Sequence, residues 1–143
     1  MATLTLTLVR GLPGCGKSTL AGPEACEADK FFVAKDGSYE FNPSCLPEAH
    51  AWCQKLTQQR LAEGNDTSVA NTFSQRWEME PYLKIAHAME AELTVIDLFD
   101  SGLDDATLAD RNTHEVPAEA IARMRERYEN DWESGNSIPP WNR

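Results

Sequence analysis

The stretch from Gly11 to Thr19 constrains this chain more than any other part of its sequence. It matches the pattern G-x-x-x-x-G-K-S/T at every fixed position. Glycines at this spacing let the backbone turn tightly and bring main-chain N–H groups against a phosphate. Lys17 supplies a positive charge for the β- and γ-phosphates of a nucleotide, and the Ser18 hydroxyl is a candidate ligand for Mg²⁺. The predicted nucleotide-binding residues are Gly11, Leu12, Pro13, Gly14, Cys15, Gly16, Lys17, Ser18 and Thr19.

The residues on either side of the loop have the pattern that such a loop requires. Residues 3–9 alternate threonine and leucine, which predicts a strand with Leu4, Leu6 and Leu8 on one face. Residues 17–21 open a helix, whose N-terminus adds free N–H groups and the positive end of its dipole. The order strand, loop, helix favours nucleotide binding over a glycine-rich turn without a ligand. The motif alone leaves open what happens to the terminal phosphate.

Length and charge narrow the classes of protein to consider. The 143 residues predict a single domain over residues 1–130, followed by an irregular tail over residues 131–143. No run reaches the roughly 18 apolar residues of a membrane span, and no signal peptide is recognisable, so we expect a cytoplasmic protein without a membrane partner. The net charge of −10 argues against a large nucleic-acid footprint, which draws on clustered lysine and arginine. A short basic groove around one strand end stays compatible with it.

The cysteines and histidines have no metal-binding spacing. The sequence contains no C-x-x-C pair, and a cytosolic protein is expected to keep its thiols free. Cys15 lies inside the loop, where N–H dipoles and Lys17 could lower its pKa. We favour the simpler interpretation, in which Cys15 is a small residue filling a variable position.

A candidate for proton transfer follows a predicted second strand over residues 25–28. Asp29 stands at the carboxyl end of this strand, and ligands of open parallel α/β sheets bind beyond that end. A carboxylate there can accept the proton of an attacking hydroxyl. A helix N-cap or a solvated turn explains an aspartate at this position equally well.

Strands and helices alternate along the rest of the chain, which predicts a parallel α/β sheet. The predicted strands cover residues 67–71 and 93–100, and the second is apolar enough to be buried on both faces. The predicted helices cover residues 46–63, the region from 77, residues 101–112, and 117–128. We interpret His50 and Trp52 as packing residues. We do not interpret Asp97 as a metal ligand, because its strand continues through the two residues that follow it.

A set of motifs occurs in a fixed order across most of the chain. After the loop come Ala28-Asp29-Lys30-Phe31-Phe32, Asp36-Gly37-x-Tyr39-x-Phe41-x-Pro43, Ala49-His50-x-Trp52-Cys53, Asn71-Thr72, Trp77-Glu78-Met79-x-Pro81-Tyr82 and Arg111-Asn112-x-His114-x-Val116-Pro117, with Ile121 and Met124. From residue 4 to about 129, this set resembles the P-loop kinase-like family related to polynucleotide 5′-hydroxyl kinase domains. The resemblance implies a three-layer P-loop NTPase sandwich with a mostly parallel four- or five-stranded sheet and a helical lid.

The resemblance also implies an activity and its residues. The family transfers the γ-phosphate of a nucleotide, here ATP or GTP with Mg²⁺, to a hydroxyl such as a polynucleotide 5′-OH. Asp29 falls at the family's general base, and Arg111 falls at a lid arginine that clamps the migrating phosphoryl group. With Lys17, these are the predicted catalytic residues, and Ser18 is the predicted metal ligand. A cation that interacts with the dipole at a helix C-terminus is the alternative for Arg111.

Three positions depart from the family pattern. Ala70 stands where the family commonly has aspartate, Lys30 replaces the second residue of an Asp-Asp pair, and Phe32 replaces an arginine that helps hold the acceptor's phosphate. These departures keep two alternatives open. One is a small-molecule or nucleoside kinase, and the other is a nucleotide-binding module without transfer activity.

Overall fold

The computed structural model describes residues 3–112, 115–130 and 138. Its three strands are β1 (Thr5–Gly11), β2 (Thr67–Asn71) and β3 (Glu92–Phe99). Its five α-helices are α1 (Lys17–Ala21), α2 (Leu46–Ala62), α3 (Glu80–Ala88), α4 (Asp105–Arg111) and α5 (Ala118–Arg127). Three 3₁₀ turns cover Ala28–Phe32, Pro43–Cys45 and Arg76–Met79.

The sheet is parallel, with β1 in the centre of the order β2-β1-β3. Leu8 of β1 lies opposite Val69 of β2 on one side and Val95 of β3 on the other. Because all three strands run in one direction, their carboxyl ends meet at one edge of the sheet. The glycine loop leaves β1 at that edge. Its first residues are hydrogen-bonded at the ends of the two neighbouring strands. The Gly11 N–H donates to Thr72 O, and the Leu12 N–H donates to Phe99 O.

Helices pack on both faces of the sheet around β1. Because successive residues of a strand point to opposite faces, neighbouring residues of β1 contact different helices. Leu8 belongs to a core cluster that includes residues of α2 and α3. The next residue, Val9, packs with Ala70 and with Ala21 of α1 in a separate cluster. The predicted α/β fold with a parallel sheet is therefore confirmed.

The predicted second strand over residues 25–28 is wrong. Only Cys26 pairs with β2, through an isolated bridge to Val69, and the Ala28–Phe32 turn follows it. The bridge does not extend because the side chain of Asn71 accepts the hydrogen bond of the Ala28 N–H, at 2.9 Å. The described residues thus form three strands, where four or five were expected.

The expectation that residues 93–100 are buried on both faces is also wrong. Val95 is 43% exposed, and Thr94 is exposed as well. β3 is the outer strand of the described sheet and has β1 as its neighbour on one side only. Apolar composition therefore overestimated its burial.

The predicted helices are found close to their expected positions. α2 covers almost all of residues 46–63, whereas α4 starts later than residue 101, because the Asp104 side chain caps it by accepting from the Thr107 N–H at 2.8 Å. Residues 113 and 114 and nearly all of the predicted tail, including Trp132 and Trp141, lie outside the described residues. Within the described part of the chain, no helix is long and apolar enough to cross a membrane.

Candidate active site

The glycine loop has a conformation that its glycines make possible. Gly14 and Gly16 have φ angles of 84° and 101°, in the left-handed region that side chains disfavour. A Cβ added to Gly14 would also lie 2.3 Å from the carbonyl oxygen of Leu108. Helix α4 therefore packs directly against the loop backbone.

Two side chains form hydrogen bonds with the backbone of the loop. The Lys17 ammonium folds back over the loop and donates to the carbonyl oxygen of Leu12, at 3.1 Å. The Ser101 hydroxyl donates to the carbonyl oxygen of Cys15, at 2.6 Å. The Lys17 ammonium is therefore held against the backbone of the loop.

The Cys15 thiol is buried beneath this loop. Burial raises its pKa, although the nearby Lys17 charge acts in the opposite direction. A thiol with a raised pKa is not activated as a thiolate. This agrees with the interpretation of Cys15 as a small filling residue.

Ser18 contacts an acidic residue that the sequence analysis did not single out. Its Oγ donates to Oε1 of Glu27, at 2.9 Å. Glu27 is only 9% exposed, and its Oε2 lies 3.6 Å from Nζ of Lys30. A hydroxyl and a carboxylate are the hard oxygen ligands that Mg²⁺ prefers, so the residues present fit this metal. Because no group of three or more potential metal ligands occurs among the described residues, most of the coordination would come from phosphate oxygens and water.

Asp29 lies in the Ala28–Phe32 turn and is half-buried. The Tyr39 hydroxyl donates to its Oδ1 at 3.4 Å. Burial and the adjacent Asp29 charge raise the pKa of Tyr39 to about 12, so the hydroxyl stays protonated and can donate near neutral pH. The Asn71 side chain fixes the start of the same turn through its bond to Ala28.

The predicted catalytic residues come together in one cleft. Lys17, Ser18, Asp29 and Arg111 all line a cavity of about 390 Å³ above the carboxyl ends of the strands. Arg111 is the last residue of α4, it is exposed, and it forms no ion pair with another described residue. A volume of this size is within the range of small-ligand sites.

The wall beside Asp29 is aromatic. Tyr39, Phe41 and His50 line the same cleft, and the Tyr39 and Phe41 rings are nearly parallel, with centroids 6.4 Å apart. His50, predicted as a packing residue, thus also lines the cleft. Trp52 does pack, partly buried against the main core.

The positions that depart from the family pattern have structural roles. Phe32 is buried and contacts Phe41 edge-to-face, so it contributes to the core. Ala70 is 2% exposed and provides no polar atom on its side chain. Lys30 forms the ion pair with Glu27.

Asp97 is held by structural partners in β1 and after α5. Its carboxylate lies 3.3 Å from Nη1 of the buried Arg10 and accepts from the Tyr128 hydroxyl at 2.7 Å. These contacts join β1, β3 and the residue that follows α5.

A glycine loop between a central parallel strand and a helix, with charged side chains converging above the strand ends, defines a P-loop nucleotide-binding protein. The chain belongs to the AAA_33 family, described as an AAA domain, whose model matches residues 6–130. The predicted resemblance to P-loop kinase-like proteins is thereby confirmed.

One relative and one solved structure are informative. The chain is 34% identical over 138 residues to NEDD4-binding protein 2 of Homo sapiens, and the match covers 88% of this chain and 8% of that protein. The chain thus spans less than a tenth of the length of that relative. A chain in the structure of the Pnkp1/Rnl/Hen1 RNA repair complex superposes with a TM-score of 0.59 at 15% identity, covering 89% of this chain and 44% of that chain. At this identity, the likeness shows the fold alone.

Proposed function

We propose that this chain is a Mg²⁺-requiring phosphotransferase that moves the γ-phosphate of ATP or GTP to a hydroxyl acceptor. The polynucleotide 5′-OH is the acceptor that the family resemblance favours. The observation that carries the proposal is that Lys17, Asp29 and Arg111 line one cleft, although Arg111 is far from the other two in sequence. The activity is assigned to a single domain over residues 1–130, with α4 and α5 as its lid.

The loop has the groups needed to hold the donor. Its backbone N–H groups and the Lys17 ammonium would bind the β- and γ-phosphates, and the Lys17 ammonium would exchange the Leu12 carbonyl for a phosphate oxygen. Ser18 would hold the metal. When bound, Mg²⁺ neutralises charge on the β- and γ-phosphates.

In the proposed transfer step, residues on the two sides of the cleft have different roles. The acceptor oxygen attacks the γ-phosphorus, its proton passes to Asp29, and the bond to the β-phosphate oxygen breaks to release the nucleoside diphosphate. The Tyr39 hydroxyl orients the Asp29 carboxylate. Arg111 would stabilise charge on the migrating phosphoryl group, a role worth about 10³–10⁵ in rate where an arginine supplies it.

A small-molecule acceptor, such as a nucleoside, is the second candidate. The aromatic wall of Tyr39 and Phe41 supports it, because a nucleobase stacks well on such rings. The net charge of −10 and the burial of Phe32 in the core also favour an acceptor with few phosphates.

The test measures transfer of labelled γ-phosphate from ATP and GTP to a 5′-hydroxyl oligonucleotide and to a panel of nucleosides. We expect Asp29→Asn to lower the transfer rate about 10²–10⁴-fold while nucleotide affinity stays near wild type, since Asp29 acts only on the acceptor. Asp36→Asn is the matched control, because Asp36 is exposed in a turn and its partner Ser38 can also bond to an asparagine.

Two results would contradict the proposal. Full transfer by Asp29→Asn would remove Asp29 from the mechanism. Tight nucleotide binding without transfer to any acceptor would favour a nucleotide-binding module instead.

A further inference from the structure

We propose that Glu27 is the carboxylate that organises Mg²⁺ at the loop, in place of the acid that β2 lacks at Ala70. The inference rests on the proposed function, because the metal would arrive with the nucleotide. It concerns metal binding, however, and it can be tested without phosphoryl transfer.

The first observation is the contact between Ser18 and Glu27. The Ser18 Oγ–H donates to Oε1 of Glu27 at 2.9 Å, so the carboxylate fixes the direction of the hydroxyl proton. The lone pairs of that oxygen then point away from Glu27 and are available to a cation. Carboxylates that orient a metal ligand in this way commonly change metal affinity 10- to 100-fold.

The second observation is the charge that the cleft would hold with a nucleotide bound. Glu27 is 9% exposed in the cleft wall, close to where the loop would bind a triphosphate. A buried carboxylate beside phosphates is unfavourable unless a cation compensates the two negative groups. Lys30 supplies one charge at 3.6 Å, but its ammonium also donates to the carbonyl oxygens of Pro23 and Ala25. A divalent cation bound near Ser18 would provide the remaining compensation.

The third observation is that the other acids of the cleft have different partners. Glu78 accepts from the Ser74 hydroxyl and from the Gln75 N–H, which fixes it at the start of a 3₁₀ turn. Asp29 contacts Tyr39. The strand end itself offers Ala70, which packs in an apolar cluster. Among the described acids that line the cleft, Glu27 is therefore the one placed against the loop hydroxyl.

The experiment titrates Mn²⁺, which substitutes for Mg²⁺ and is visible by electron paramagnetic resonance, into the protein with a bound non-hydrolysable ATP analogue. We expect Glu27→Gln to weaken Mn²⁺ binding by about 10-fold or more. Binding of the analogue in EDTA should stay within about twofold of wild type or become tighter, since a negative charge has been removed. Glu24→Gln is the matched control, because Glu24 is exposed three residues away.

Three further variants keep the inference falsifiable if Glu27→Gln folds poorly. Glu27→Asp retains the charge but shortens the reach, so it should weaken Mn²⁺ binding less than Glu27→Gln. Ser18→Ala should cause a loss of similar size, and the double variant should lose little more than either single one. Wild-type Mn²⁺ affinity in a folded Glu27 variant would overturn the assignment.

The outcome is separable from the proposed function. Weakened Mn²⁺ binding in Glu27→Gln supports the metal role even if no acceptor is phosphorylated. Efficient transfer by the wild-type chain together with unchanged Mn²⁺ binding in Glu27→Gln would refute the metal role and leave the kinase proposal intact.

Discussion

At the scale of single residues, Asn71 links the sheet to the candidate base. Its Oδ1 accepts from the Ala28 N–H at 2.9 Å, and its Nδ2 lies 3.8 Å from Sγ of Cys53 in α2. The side chain is buried, so these partners are not replaced by water. Asn71 is thus a positioning residue for the turn that carries Asp29.

We expect Asn71→Ala to lower kcat roughly 10- to 100-fold, because a small displacement of a catalytic group is costly. Nucleotide affinity should change little, since Asn71 contacts the turn and not the loop. Asn71→Asp keeps the acceptor for the Ala28 N–H and should recover part of the activity. The measurement is steady-state transfer with separate kcat and KM values.

Asn65→Ala serves as the control for Asn71, because Asn65 is exposed after α2. Equal kcat for Asn71→Ala and wild type would contradict the positioning role. Equal losses in Asn71→Ala and Asn71→Asp would indicate that the bond to Ala28 is not the relevant contact.

Candidate roles can be assigned from the sequence only where a motif specifies them. Lys17 and Ser18 follow from the loop pattern, since their spacing is fixed by phosphate geometry. The place of Glu27 and His50 in the cleft is not readable from the sequence, because it depends on which side chains the fold brings near them. Glu27 stands two residues before Asp29, but the sequence pattern predicts residues 25–28 as a strand, in which side chains alternate between faces.

At the scale of elements, the loop and α4 form one packed unit. The backbone of Gly14 approaches Leu108 so closely that no side chain fits between them. Leu108 itself is fully buried, in a cluster that includes Leu12 and Ile121. The loop shape therefore depends on α4 as well as on its own glycines.

We expect Gly14→Ala to destabilise the fold by more than the roughly 1–2 kcal/mol that a left-handed φ costs a side chain. The added methyl group meets the Leu108 carbonyl, so α4 or the loop has to move and nucleotide binding should be weakened. Urea unfolding and nucleotide titration measure the two effects.

Gly37→Ala isolates the conformational part of this effect. Gly37 has a φ of 88° and no heavy atom within 4 Å of an added Cβ, so only the backbone penalty applies. If the two variants lose equal stability and Gly14→Ala still binds nucleotide normally, the contact with α4 is unimportant.

Local periodicity predicts where the helices and strands lie better than it predicts which residues surround them. β2 and α2 were predicted nearly residue for residue, because the signals that define them lie within their own sequences. The predicted strand over residues 25–28 is wrong because the Asn71 side chain of β2 accepts the hydrogen bond of the Ala28 N–H. In a strand, that N–H would donate to a backbone carbonyl oxygen instead. The burial of β3 depends on how many neighbours it has, which its own sequence does not encode.

At the scale of the whole molecule, a buried charged group holds distant parts of the chain together. Arg10 of β1 is 3% exposed, pairs with Asp97 of β3, and donates to the carbonyl oxygens of Phe73 and Ser74. Its guanidinium also lies 4.4 Å from the ring centroid of Tyr128. Desolvation offsets much of the attraction in such a buried pair, so we expect its net contribution to stability to be small.

All three tyrosines should resist ionisation while the protein is folded. Burial is the main cause that raises the pKa values of Tyr39, Tyr82 and Tyr128, and Tyr39 reaches about 12. Absorbance at 295 nm should therefore show little tyrosinate between pH 9 and 11 in the native protein. The denatured chain should titrate near the ordinary value of about 10.

The raised pKa values of the tyrosines also determine how the stability of the fold changes with pH. Because the folded pKa values lie above the unfolded ones, the stabilisation is complete below about pH 10 and decreases as the pH rises from 10 towards 12. Circular dichroism recorded during the titration separates ionisation from unfolding. A tyrosinate step near pH 10 with an intact spectrum would contradict the described burial.

The hydrogen bond between Lys17 and the Leu12 carbonyl has a calorimetric consequence. In the proposed complex the ammonium exchanges this bond for one to a phosphate oxygen, so the expected enthalpy is the difference between two charge-assisted contacts. The lysine is already ordered, and little rotamer entropy remains to be lost on binding. This residue should therefore contribute a modest heat of binding with only a small entropic penalty.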